Sequence, residues 1–101
     1  MKVAIYPGSF DPITFGHMDI IERACGIFDK VILAVAESES KKPLFTLEER
    51  LSMTQSIYAD HPKIETVSFS RKLTVELARE HKACAIIRGL RAVADFEYEF
   101  Q

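Results

Sequence analysis

The side chains in this sequence that could handle a charged substrate are cations and hydrogen-bond donors, and they fall in four separate stretches. The segment from Pro7 to Phe15 carries Gly8, Ser9 and an Asp11-Pro12 pair, and Gly16-His17 follows directly. Lys41 and Lys42 come next, then Arg71 and Lys72, then Arg88 and Arg91. Hydroxyl, imidazole, ammonium and guanidinium groups together suit the binding of phosphates. Gly8 offers a backbone turn that other residues resist, where a ligand could approach the main chain. Asp11 reads as an acceptor for local backbone N–H groups rather than as a reacting group. Gly16-His17 opens a helix, which puts the imidazole near that helix's positive end.

The apolar pattern supplies the elements that must position these groups. Val3 to Tyr6 is a short β-rich run ended by Pro7-Gly8. Lys30 to Ala36 is a continuous apolar strand of the kind covered on both faces. Lys63 to Phe69 and Ala83 to Ile87 complete four expected strands. Helical spacing runs from Gly16 to Phe28 through Met18, Ile21, Ala24 and Phe28. Thr46 and Glu49 form a capping box that opens a second helix to about Tyr58. Leu73 to about His81 is a third helix, and a fourth begins after Arg88-Gly89 with Val93, Phe96 and Phe100 on its inner stripe. Strand and helix thus alternate as β-α-β-α-β-α-β-α with no hairpin signal, which predicts an α/β fold with a doubly wound parallel sheet.

In such a sheet every strand-to-helix loop lies on one edge, and ligands bind there where the winding reverses. The four stretches all fall on that edge. Lys41, Arg88 and Arg91 sit just past strand ends and are expected to touch ligand. Lys42, Arg71 and Lys72 read as solvated loop charges.

Composition bounds the rest. The chain has 101 residues, 48% hydrophobic and 28% charged, which fits one globular domain spanning 1–101. Lys+Arg 13 against Asp+Glu 15 gives a net charge of −2, so no basic field points to nucleic acid. The apolar run from Val31 to Ala36 is too short to cross a membrane. No secretion signal is visible, and Cys25 and Cys84 read as isolated, near-core thiols in a reducing compartment. The last helical pattern is still running at Gln101, so the sequence reads as part of a longer domain.

These residues resemble a known family. Thr14-Phe15-Gly16-His17, within the segment from Gly8 to His17, is similar to the T/HxGH signature of the nucleotidyltransferase superfamily. The block from Ile87 through Arg88-Gly89-Leu90-Arg91 to Glu99 resembles bacterial phosphopantetheine adenylyltransferases. Ser40-Lys41-Lys42-Pro43 and Phe45-Thr46-Leu47-Glu48-Glu49-Arg50 match the same family in the same order.

The resemblance implies a Rossmann-like fold and transfer of an adenylyl group from ATP to 4′-phosphopantetheine, giving dephospho-coenzyme A and pyrophosphate. It implies that His17 stabilises the transition state, and that Ser9, Phe10, His17, Gly89, Leu90, Arg91 and Glu99 contact ATP. Ser9, Lys41, Thr74 and Arg88 would hold the phosphopantetheine. Mg²⁺ would be carried by substrate phosphates, with no protein ligand. The family implies a homohexamer in the cytoplasm, with coenzyme A as a feedback ligand. Family members continue beyond the position of Gln101 through a serine-rich phosphate-binding motif that nothing here matches. Two other readings stand beside this one: a related nucleotidyltransferase with a different acceptor, and a non-catalytic module that binds a nucleotide or coenzyme A.

Overall fold

The computed structural model describes residues 1–37, 43–69 and 74–88. Within them the elements follow as β1 (Val3–Gly8), α1 (Phe15–Cys25), β2 (Lys30–Ala36), α2 (Leu47–Ile57), β3 (Ile64–Phe69), α3 (Thr74–Glu80) and β4 (Ala85–Ile86). The expected fourth helix lies outside the described residues. All strand pairs are parallel, in the order β3-β2-β1-β4. The chain therefore steps outward from β1 through β2 to β3, then returns to the other side of β1. The winding reverses between β1 and β4, as a doubly wound α/β sheet requires.

Both faces of the sheet are covered. On one side Tyr6, Val31, Leu33 and Val35 pack with Ile21 and Ala24 of α1, and with the partly buried Leu47 and Leu51 of α2. On the other, Val3, Ile5, Ile32 and Ala34 pack with Leu77 and Ala78 of α3. Residues of β2 alternate between the two clusters, so the strand must be apolar at every position. Thr46 caps α2 as expected, its side chain accepting the Glu49 N–H at 3.1 Å while the Glu49 carboxylate accepts the Thr46 N–H at 3.1 Å.

The structure corrects four details of the sequence reading. First, β1 does not stop at Tyr6 but runs through Pro7 to Gly8, which pair with Ala34 and Val35. Val3 and Ile5 turn their carbonyls to β4, accepting from Cys84 and Ile87. Pro7 follows the same alternation, so its missing N–H faces the β4 side, past the last β1–β4 pair at Ile5 and Ile86. Second, α1 begins at Phe15 and ends at Cys25, with Gly26 as its C-cap. Third, β4 is only two residues long. Fourth, Cys25 is half-buried but Cys84 is exposed, because it precedes the strand rather than lying in the core. Among the described residues, no helix is long and apolar enough to cross a membrane.

Candidate active site

The end of β1, the start of α1 and Arg88, two residues past β4, surround one cleft of about 480 Å³. That size suits a small-molecule site. Pro7, Gly8 and Ser9 form one side, Gly16 and His17 a second, and Arg88 a third. The cleft sits at the carboxyl edge of the sheet, where the winding reverses. His17 and Arg88 come from opposite ends of the sequence, and the strand order brings them to the same opening.

His17 is fixed by its own helix. Thr14 is the N-cap of α1, and its side chain accepts the His17 N–H at 3.3 Å. The main-chain N–H of Thr14 donates back to Nδ1 of His17 at 3.0 Å. This is a capping box in which histidine fills the place usually taken by Glu or Gln. Because Nδ1 accepts a main-chain N–H, the ring's proton sits on Nε2 and the imidazole is a donor there. The spacing of Thr14 and His17 was visible in the sequence, but the capping role was not, since the usual signature has an acidic or amide residue at that place.

Aromatic packing holds the ring from below. Phe10 is 1% exposed and meets His17 edge-on at a centroid distance of 5.0 Å. Tyr6 packs edge-on against Phe10 at 5.4 Å. Phe10 therefore lies beneath the cleft, buried as a whole residue, and does not itself line the opening. It also carries the unusual conformation of this loop, with φ 47. Gly8, expected to supply a special turn, has no positive φ. What it supplies is room: a Cβ at Gly8 would come within 3.3 Å of Phe10 Cε2. Asp11 also differs from its expected local role. Its carboxylate accepts the distant N–H groups of Leu44 at 2.8 Å and Phe45 at 2.9 Å, pinning the first loop to the approach to α2.

On the far side, Arg88 Nη2 lies 3.5 Å from Thr74 Oγ1, at the first residue of α3. Two residues expected to hold one substrate are thus neighbours.

A sequence profile of the cytidylyltransferase-like family matches residues 5–101. The chain belongs to that family. It is 57% identical over 100 residues to the phosphopantetheine adenylyltransferase of Desulforudis audaxviator, covering 99% of this chain and 61% of that protein. The corresponding enzyme of Moorella thermoacetica is 57% identical over 101 residues, covering 100% of this chain and 62% of that protein. The chain thus spans about three-fifths of the length of these curated relatives. Among solved structures, a lipopolysaccharide core biosynthesis protein from Thermoplasma volcanium superposes with a TM-score of 0.70 at 17% identity, covering 98% of this chain and 85% of that one. That likeness confirms the fold.

Of the residues expected from the sequence to contact the two substrates, Ser9, His17 and Arg88 line the cleft, Thr74 adjoins Arg88, and Phe10 underlies His17. Lys41, Gly89, Leu90, Arg91 and Glu99 lie outside the described residues, as do Lys42, Arg71 and Lys72. One further residue at this site escaped the sequence reading: Arg50 of α2, 2% exposed, which donates to the Ser9 carbonyl at 2.7 Å. An arginine in the first turns of a capped helix ordinarily reads as solvent-facing, and nothing in the spacing marked it as buried.

Proposed function

We propose that the protein transfers the adenylyl group of ATP to 4′-phosphopantetheine, giving dephospho-coenzyme A and pyrophosphate. The observation that carries this reading is the convergence of His17 and Arg88 on one cleft at the sheet's reversal point. The identity with phosphopantetheine adenylyltransferases supports the choice of acceptor.

The chemistry asks for no protein nucleophile. An oxygen of the phosphopantetheine phosphate attacks the α-phosphorus of ATP, forming one P–O bond as the bond to pyrophosphate breaks. Two polyanions must be held in line, and charge on the crowded phosphorus must be stabilised. His17 donates from Nε2 to a phosphoryl oxygen, in the tautomer that Thr14 sets. Arg88 holds the acceptor phosphate beside Thr74, joined by Lys41. Ser9 receives the nucleotide phosphates at the N-terminus of α1, and Phe10 serves that end of the site by supporting the His17 ring from beneath. Gly89, Leu90, Arg91 and Glu99 complete the nucleotide site.

The described residues contain no cluster of three His, Cys, Asp or Glu side chains suited to a metal. Both carboxylate oxygens of Asp11, which lines the cleft, are engaged by main-chain N–H groups. The reading assigns Mg²⁺ to the triphosphate it accompanies, as the family resemblance implies. The same reading assigns the protein to the cytoplasm as a homohexamer, with coenzyme A as a feedback ligand.

Pyrophosphate release by the full-length protein tests the reading. ATP with 4′-phosphopantetheine should release pyrophosphate and form dephospho-coenzyme A. Turnover only with another phosphorylated acceptor, or tight ligand binding without product, would overturn it.

A further inference from the structure

Arg50 is, with Thr54, one of two buried polar residues among those described. Its neighbours Glu48 and Glu49 on α2 are exposed. Its guanidinium meets three main-chain carbonyls from three segments. Nη1 donates to Ser9 O and to Ala36 O, both at 2.7 Å, and Nε donates to Phe45 O at 3.1 Å. Thr54 anchors the same turn of α2 by donating from Oγ1 to the Arg50 carbonyl at 2.9 Å.

A buried cation whose hydrogen bonds all go to carbonyls is a costly way to fill a core. An apolar side chain would pack there at less cost. Only a planar fork, however, ties the loop after β1, the end of β2 and the approach to α2 together at once. Asp11 grips the same junction from the other side, so that Phe45 has its N–H held by Asp11 and its carbonyl held by Arg50. The Ser9 carbonyl is drawn toward the interior. A carbonyl oxygen facing the cleft would instead repel an incoming phosphate.

We propose that Arg50 is a positioning residue of this site: it turns the Ser9 carbonyl inward and locks the loops on either side of it, so that a nucleotide polyphosphate meets a preformed wall of donors. The proposal rests on the adenylyl-transfer reading for its kinetic consequences, and on geometry alone for its structural one. Lysine carries the charge but cannot reach three carbonyls in one plane.

The full-length Arg50→Lys protein tests it. The KM for ATP, corrected for the folded fraction, should rise on the order of tenfold, with a smaller change in the KM for the acceptor. Asp11→Asn should act on the same parameter, and the double variant should lose less than the product of the two single losses. Hydrogen exchange should quicken in segments 9–12 and 43–46 of Arg50→Lys relative to the rest of the sheet. A lower melting temperature with unchanged KM and unchanged exchange in those segments would overturn the proposal. If the parent enzyme transfers no adenylyl group, the functional reading fails, and the exchange data alone decide the role of Arg50. If Arg50→Lys does not fold, Arg50→Gln, which keeps two N–H donors, takes its place. Failure of both to fold makes the residue structural only and overturns the proposal.

Discussion

The N–H of Thr14 donates to Nδ1 of His17 at 3.0 Å, so one histidine both caps α1 and presents its Nε2 proton. The two roles can be separated. Glutamine is a favoured residue at this capping position, so His17→Gln should keep the cap and stay within about 0.5 kcal/mol of the parent in urea unfolding. His17→Ala should lose the reciprocal cap bond as well, costing about 1 kcal/mol. Turnover should fall on the order of a hundredfold or more in both, with nucleotide binding retained. Pyrophosphate assays and calorimetry check this. A His17→Gln enzyme with parental turnover would reduce the imidazole to a cap.

The stack beneath that imidazole makes a second expectation. A Cβ at Gly8 would sit 3.3 Å from Phe10 Cε2, so the ring would have to give by a few tenths of an ångström. Phe10 touches His17, so the displacement passes to the site. Gly8→Ala should cost about 1–3 kcal/mol, as overpacking does, and lower kcat. Adding Phe10→Leu, which removes the crowded ring atoms, should make the second substitution less damaging than it is alone. Additive losses in a double-mutant cycle would show that the two positions are uncoupled.

The contrast between what the sequence displayed and what it concealed follows from the range of the interactions. The strand from Lys30 to Ala36 was legible because burial on both faces demands an unbroken apolar run, and the structure returns the same boundaries. Thr46 and Glu49 were legible because a capping box is written within four residues. Asp11 looked equally local, yet its partners lie at Leu44 and Phe45, and no spacing rule reports a contact across that distance. Arg50 was hidden for the same reason: its acceptors are carbonyls, which have no residue type to read. The convergence of His17 and Arg88 was legible only through topology, since the alternation of strands and helices implies one ligand edge before any contact is known.

The two cysteines should part company in alkaline solution. Burial lifts the Cys25 thiol above the ordinary range; Lys63 opposes the shift and Glu22 adds to it. Cys84 is exposed. Iodoacetamide at pH 8 should therefore label Cys84 well before Cys25, as peptide mass mapping would record. The stability consequence has a definite sign. The folded state binds the Cys25 proton more tightly than the unfolded chain does, so its contribution is fully present below the unfolded thiol's pKa, about 8.5. It is lost as pH rises from there through the folded value. Tyr58, raised chiefly by its own burial and further by Cys25 and Glu22, acts in the same direction at higher pH. The urea midpoint should consequently fall between pH 8 and pH 10, less steeply in Cys25→Ala than in the parent, and with the parental slope in Cys84→Ala. Equal slopes in all three proteins would mean that the Cys25 thiol ionises as freely in the fold as out of it.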